Sequence, residues 1–373
     1  MSTPTPTSPS VAQPEPIAAS KSAAAPKPGK ARSAGKTKPL FRYADGPVPN
    51  TLAMGYSLVG YGLGVALLFA DFWLLKAAGT LLLAHAMIIG AYLMHEFAHG
   101  TIFSKPAHNA RAGALFSWMT GGCYAEFQDL RHKHMRHHVD RADVLTFDSK
   151  QFINGLPAWA RKIVLALEWA YIPAVELLLH GYVILLPFLE SSEKQRARRP
   201  AVAATLAIRI AAFALLGWLS PVALVLYTVA WLTMITVLRF TDAYQHTYDA
   251  FAVLEDGEIP ADKLRDRAYE QQNTFSNLVS LRWPSLNLLV LNFSYHNAHH
   301  EKPVAPWYRL PALHAELYSD GYRQVVPIRE LLGSFHRYRL RRVTDDDYGH
   351  FGEGPQRAEG FYGAVGVSFL TAV

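Results

Sequence analysis

The sequence predicts an all-α integral membrane protein with four transmembrane helices, interfacial helices and a cytoplasmic cap rich in histidine. Three observations carry that reading. Half of the 373 residues are hydrophobic and only 18% are charged, against roughly 25% in ordinary soluble domains. Charge is absent from long runs: Gly46–Ala70, Ala77–Met94, and Ala201–Leu238 apart from Arg209. The chain also holds 16 histidines, most of them clustered. One cysteine, Cys123, excludes a disulfide framework and a thiolate-rich metal site. The net charge of +6 concentrates at the N-terminus and around Lys194–Arg199. That pattern fits cytosolic membrane flanks better than a nucleic-acid-binding face, so no nucleic-acid partner is expected.

Along the chain, residues 1–38 are rich in Ala, Pro, Ser, Thr and Lys and hold few large apolar side chains, Met1, Val11 and Ile17. Such a segment cannot bury enough surface to order itself and has no signal-peptide core. A disordered basic tail is expected there, then a membrane domain over 39–345 and a C-terminal tail over 346–373. A span needs about 20 predominantly apolar residues, which places a first helix at roughly 50–72. Asp71 and Lys76 flank the turn to a second, Ala77–Met94. Ala201–Leu238, broken at Leu219-Ser220-Pro221, reads as a third and a fourth. Residues 156–190 are apolar but carry Glu168, Glu176, His180 and prolines at 157, 173 and 187. They are expected to lie in the interface or re-enter, not to cross. With the basic segments held in the cytoplasm, both helix pairs go out and back, and every histidine cluster falls on the cytoplasmic side.

The histidines form four groups: His95 and His99; His134, His137 and His138; His246 alone; and His296, His299 and His300. On a helix, positions i, i+3 and i+4 share a face. Each H-x-x-H-H can therefore aim three imidazoles at one region, and His95 and His99 can aim two. Nine donors exceed the four of one tetrahedral zinc and suit two metals of higher coordination number. Imidazole alone does not name the metal. His108, His132, His180, His314, His336 and His350 read as ordinary polar residues. His85, deeper in the second helix, reads as an interhelical hydrogen-bond partner. Arg209 and Asp71 read as a snorkelling cation and an interface residue. Two rival readings exist. His95-Glu96-x-x-His99 is literally the H-E-x-x-H of a zinc peptidase, with Glu96 as general base, but that leaves seven clustered histidines idle. A non-enzymatic metal-binding or storage protein explains the histidines but not their placement in boxes at one membrane face.

The pattern resembles the membrane fatty acid desaturase superfamily, from about Thr51 to Leu310. HEFAHGTIF, HKHMRHHVDRAD, QHTYD and NFSYHNAHHEKPVAPWYRLP are similar to its bacterial members. The resemblance implies a non-haem di-iron enzyme of a bacterial inner membrane. Its iron ligands would be His95, His99, His134, His137, His138, His246, His296, His299 and His300. Two irons, O2 and external electrons would desaturate or hydroxylate an unactivated C–H bond, most simply in a lipid acyl chain. Glu96, Asp140, Asp143 and Asp242 are candidates to hydrogen-bond the outer imidazole nitrogens, and Asn292 to orient the last box. No H-P-G-G haem motif occurs, so a separate ferredoxin, rubredoxin or cytochrome with its reductase would supply electrons. Residues 311–373 receive no functional account.

Overall fold

The computed structural model describes residues 39–254, 257–319 and 321–365; the tail expected over 1–38 lies outside them. The described chain is mostly helical, and one two-residue parallel pair, β1 (Asp143–Val144) with β2 (Ala250–Phe251), is its only sheet. The helices are α1 (Pro47–Leu67), α2 (Trp73–His99), α3 (Pro106–Thr120), α4 (Phe127–Asp140), α5 (Ser149–Gly155), α6 (Ala158–Trp169), α7 (Ala174–Leu189), α8 (Glu193–Leu219), α9 (Pro221–Asp242), α10 (Arg267–Gln272), α11 (His296–Glu301), α12 (Leu310–Leu317), α13 (Ile328–Arg337) and α14 (Arg341–Thr344).

Three helices are long and apolar enough to cross a membrane, namely α2, α8 and α9. They match the expected second, third and fourth spans. The expected first span forms α1, which pairs along α2 but falls short on apolarity, because glycine, tyrosine, serine and asparagine dilute it. The pair α6–α7 would count as a further span only if taken together, and it is bent by 118°. Large apolar side chains stand exposed on these helices, among them Leu52, Val59, Ile208, Leu215, Trp218 and Val225. A soluble surface rarely carries so much contiguous apolar area; lipid is the solvent that accepts it.

Small residues set the α1–α2 approach. A Cβ at Gly64 would lie 2.8 Å from Leu83 Cβ, and one at Gly79 would lie 2.5 Å from Leu67 Cβ. Without a hydrophobic drive between helices in lipid, this close backbone packing is what associates them. Ser57 Oγ donates to Ala86 O at 2.7 Å in the same seam. His85 makes the interhelical link the sequence suggests. Its Nε2 lies 3.1 Å from Leu289 O and its Nδ1 2.5 Å from Tyr56 Oη. A carbonyl only accepts, so Nε2 carries the proton and the Tyr56 hydroxyl donates to Nδ1.

With 27 residues, α2 is about 40 Å long, against a hydrocarbon core of about 30 Å. It is therefore about 10 Å longer than an untilted crossing needs. It stops cleanly because Gly100 takes the left-handed conformation at φ 64°. Tyr92 Oη meets Thr241 Oγ1 at 2.8 Å, so the C-terminal ends of α2 and α9 lie together. The α6–α7 bend is fixed by Arg239 of α9, which donates from Nη1 to Glu168 at 2.6 Å and stands in an ion pair with Glu176, Nε to Oε1 at 3.1 Å, all three side chains being buried. Its tip is held by α13 and the chain after it: Arg339 donates to Trp169 O at 3.1 Å, and Tyr171 Oη lies 2.5 Å from His336 Nδ1. Over its described part, the segment expected as a C-terminal tail packs Phe361 and Phe351 against Tyr244 and Phe275.

Candidate metal centre

Four pieces of backbone deliver the nine histidines. His95 and His99 close α2. Arg131 of α4 donates to Ala98 O at 2.9 Å, which locks the register between α2 and the α4 box. His246 follows α9 on extended chain that forms a bridge with Thr274. The box on α11 is entered through two left-handed residues, Leu291 at φ 50° and Asn292 at φ 58°. Asn287 ties that loop together, accepting from Val279 N at 2.8 Å and Ser294 Oγ at 3.2 Å and donating to Ser280 O at 3.0 Å.

The nine side chains divide into two groups. His95, His99, His134, His138 and His299 converge on one point, and His137, His246, His296 and His300 on another; within each group, ring nitrogens lie within 4.8 Å of one another. The two boxes split in the same way. In α4 the i and i+4 residues join the first group and the i+3 residue the second, and in α11 the assignment is reversed. Helix twist explains this: i and i+4 differ by about 40° around the axis, while i+3 lies about 60° to the other side of i. Neither group takes in His85, His108, His132, His180, His314, His336 or His350 among the described residues.

Several of the nitrogens meet two others at once, more than hydrogen bonding alone can satisfy. His134 Nε2 is 2.8 Å from His99 Nε2 and 3.1 Å from His138 Nε2, which is 3.1 Å from His299 Nε2. His246 Nε2 is likewise 3.0 Å from His137 Nε2 and 2.6 Å from His296 Nε2. A ring nitrogen offers one N–H or one lone pair, so nitrogens joined in a row cannot all be satisfied. His300 Nε2, also buried, has no hydrogen-bond partner. A cation at each point would take all these lone pairs. With metal–nitrogen bonds of about 2.1 Å, neighbouring ligands stand about 3.0 Å apart at right angles and about 3.4 Å apart in a tetrahedron. Most of these contacts stand nearer the former, and each group supplies enough donors to hold one ion.

Electrostatics agrees. Burial, reinforced by neighbouring imidazoles, holds His134, His138, His246, His296, His299 and His300 well below the ordinary histidine value. They are neutral near pH 7, the form that binds metal. Two outer nitrogens face carboxylates: His137 Nδ1 is 3.0 Å from Asp143 Oδ1, and His300 Nδ1 is 3.0 Å from Glu270 Oε1. Each such contact fixes the tautomer and turns the Nε2 lone pair inward.

The other residues singled out by sequence are placed differently. Asp140 pairs with Arg136 at 2.8 Å instead of with a histidine. Glu96 accepts from the Thr101 hydroxyl at 2.6 Å and the Trp307 amide at 3.2 Å, with its second oxygen 3.4 Å from His95 Nδ1. Asn292 donates to Trp307 O at 3.3 Å and accepts from Tyr295 N at 3.1 Å, so it acts on the turn before the last box. Asp242 lines a cavity of about 330 Å³ with Lys133, His137 and His246. Burial lowers the Lys133 ammonium to about 8 against the pull of Asp143 and Asp242. Sequence reasoning missed Glu270, Thr274 and Tyr248. Tyr248 stacks 4.2 Å from the His246 ring, bonds Thr274 Oγ1 at 2.9 Å, and is braced by the Tyr348 hydroxyl. Glu270 and Thr274 carry no spacing signal; they lie one turn apart, and only the fold brings them to the centre.

The sequence profile described as "Fatty acid desaturase" matches residues 71–332. A comparison with curated proteins finds no match.

Proposed function

The chain belongs to the fatty acid desaturase family, and from that premise we propose that it is a di-iron membrane oxidase that desaturates or hydroxylates an unactivated C–H bond of a lipid acyl chain. The observation that carries this is the division of nine imidazoles into a five-nitrogen and a four-nitrogen position. Two irons bound there would supply the reduction of O2, with external electrons, and the oxidation of the C–H bond. His95, His99, His134, His138 and His299 would hold one, and His137, His246, His296 and His300 the other. Asp143 orients His137. Phe293 packs 4.7 Å from the His95 ring and 5.0 Å from the His296 ring, and so keeps bulk water from that side.

Access is from the other side. The cavity of about 330 Å³ reaches His137 and His246 and is lined by Phe147, Leu179 and Val365 together with charged Lys133, Lys150, Asp148 and Asp346. Four ligands leave more open coordination than five, so the four-nitrogen position facing this cavity is where substrate approaches. The basic Lys194–Arg199 segment at the start of α8 supports a cytoplasmic position for the centre in a bacterial inner membrane, where a soluble ferredoxin, rubredoxin or cytochrome would deliver electrons. The peptidase alternative finds no support, since the Glu96 carboxylate is engaged by Thr101 and Trp307.

The test pairs metal analysis of the purified protein with mass spectrometry of lipids from cells with and without the gene. About two irons per chain are expected, with a product two mass units lighter for desaturation or sixteen heavier for hydroxylation, lost in His299→Ala. Stoichiometric zinc, no iron and no consumption of O2 under reducing conditions would refute it.

A further inference from the structure

The two positions differ in what stands behind them. At the five-nitrogen position, the carboxylate nearest an outer nitrogen is Glu96, at 3.4 Å and shared with two other donors. At the four-nitrogen position, Asp143 and Glu270 each lie 3.0 Å from an outer nitrogen. Asp143 is one quarter exposed, and Glu270 is buried at 7%.

Glu270 is also the better anchored. Its second oxygen accepts from Arg141 Nε at 3.0 Å, and Arg141 is itself tied to Arg265 O at 3.1 Å. Arg141 holds the left-handed conformation that ends α4, at φ 52°. One turn beyond Glu270, Thr274 Oγ1 donates to the Glu270 carbonyl at 2.7 Å and stands 3.4 Å from His246 Nδ1. Asn297, between the α11 ligands, donates to Thr274 O at 2.7 Å. The segment from α10 to Thr274 therefore supports His300, His246 and the helix that bears His296.

We propose that Glu270 is the positioning residue on which metal occupancy of the four-nitrogen position depends, so that the two positions load separately and loss of its charge weakens one of them. This rests on the two-metal reading above. An ionised Glu270 accepts the His300 Nδ1 proton, holds the ring with Nε2 inward and places a negative charge behind a dication. Glutamine keeps the shape but not the charge, and its amide can present N–H to Nδ1, which favours the wrong tautomer. Glu270 also lies within 4.8 Å of a His138 ring nitrogen. That gives it a foothold at the other position, and the experiment separates the two effects.

The experiment is a Co(II) titration of the metal-stripped full chain in detergent, followed by visible absorption and by metal retained after dialysis against a weak chelator. Wild type should take up two equivalents. Glu270→Gln should bind one of them about 10- to 100-fold more weakly, the usual effect of removing an outer hydrogen-bond partner, and leave the other unchanged. In a His95→Ala, His99→Ala background, which leaves three imidazoles at the five-nitrogen position, the Gln variant should hold no tight metal; in a His296→Ala background it should match His296→Ala alone. Asp140→Asn, which removes a carboxylate of the same neighbourhood paired only with an arginine in the observed contacts, should titrate as wild type. Two tight equivalents in Glu270→Gln would overturn the proposal, as would equal weakening of both. If wild type binds no metal pair, the di-iron reading itself fails, a different result.

Discussion

Replacing Arg239 with methionine tests the charge cluster that holds the α6–α7 bend against α9. The side chains of Arg239, Glu168 and Glu176 are 6%, 2% and 3% exposed. Removing the arginine strands two buried carboxylates without their counter-ion. Deleting one partner of a buried pair costs about 3–5 kcal/mol, a large share of the roughly 5–15 kcal/mol that holds a typical domain. Glu176→Gln leaves Glu168 to balance the arginine and should cost less, about 1–3 kcal/mol. The triple variant Glu168→Gln, Glu176→Leu, Arg239→Met should recover most of the loss, because apolar replacement of a whole ionic cluster is often neutral. The amide oxygen introduced by Glu168→Gln would still accept from Val175 N, as the Glu168 carboxylate does at 3.0 Å. The assay is denaturant unfolding in mixed micelles read by tryptophan fluorescence, with limited proteolysis at the bend. An Arg239→Met protein within about 1 kcal/mol of wild type, or a triple variant no better than the single, would show that the cluster does not hold the bend.

Three further outcomes follow from packing and protonation. Gly79→Ala should cost about 1–3 kcal/mol by overpacking, since its Cβ would lie 2.5 Å from Leu67 Cβ, whereas Gly62→Ala, with nothing within 4 Å, should cost nothing; thermal unfolding of the pair decides. His85→Phe strands Leu289 O and the Tyr56 hydroxyl and should destabilise by about 1–3 kcal/mol, with faster amide exchange over residues 286–292. Within the two histidine groups, the six members outside α2 that burial holds well below the ordinary value bind protons in the unfolded chain before the folded one. Metal-free protein should therefore keep full stability above about pH 6.5 and lose it as pH falls below, by up to about 1.4 kcal/mol per pH unit for each group. A flat profile from pH 7.5 to 5 would contradict that.

What the sequence reveals here is what is local. Runs without charge disclose α2, α8 and α9, and spacing of three and four discloses the histidine boxes, because both are properties of a single helix. Asp140 and Asp143 show the limit. Both follow the first H-x-x-H-H closely and look equivalent as residues. The chain reverses at Arg141, whose left-handed conformation ends α4, so Asp143 returns to His137 while Asp140 stays on the helix beside Arg136. Nothing in the side-chain order announces that turn. Glu270 is further out of reach: it meets a histidine 30 residues away through a loop with no periodic pattern. The weaker apolarity of α1 is visible in its composition, but its partnership with α2 depends on which glycines face which backbone.

The reversed split of the two boxes has a mechanical consequence. If each position holds an ion, both ions are gripped by α4 and both by α11, each helix giving two ligands to one and a single ligand to the other. The spacing of the ions is then set by the pitch of one helical turn, used twice in opposite senses, and not by how far apart neighbouring helices happen to sit. Changes in bilayer thickness, in the tilt of α8 or in the opening of the cavity can shift the pair as a body. They cannot stretch it without unwinding a turn. Two ions held in this way would keep their separation while the chain around the centre moved.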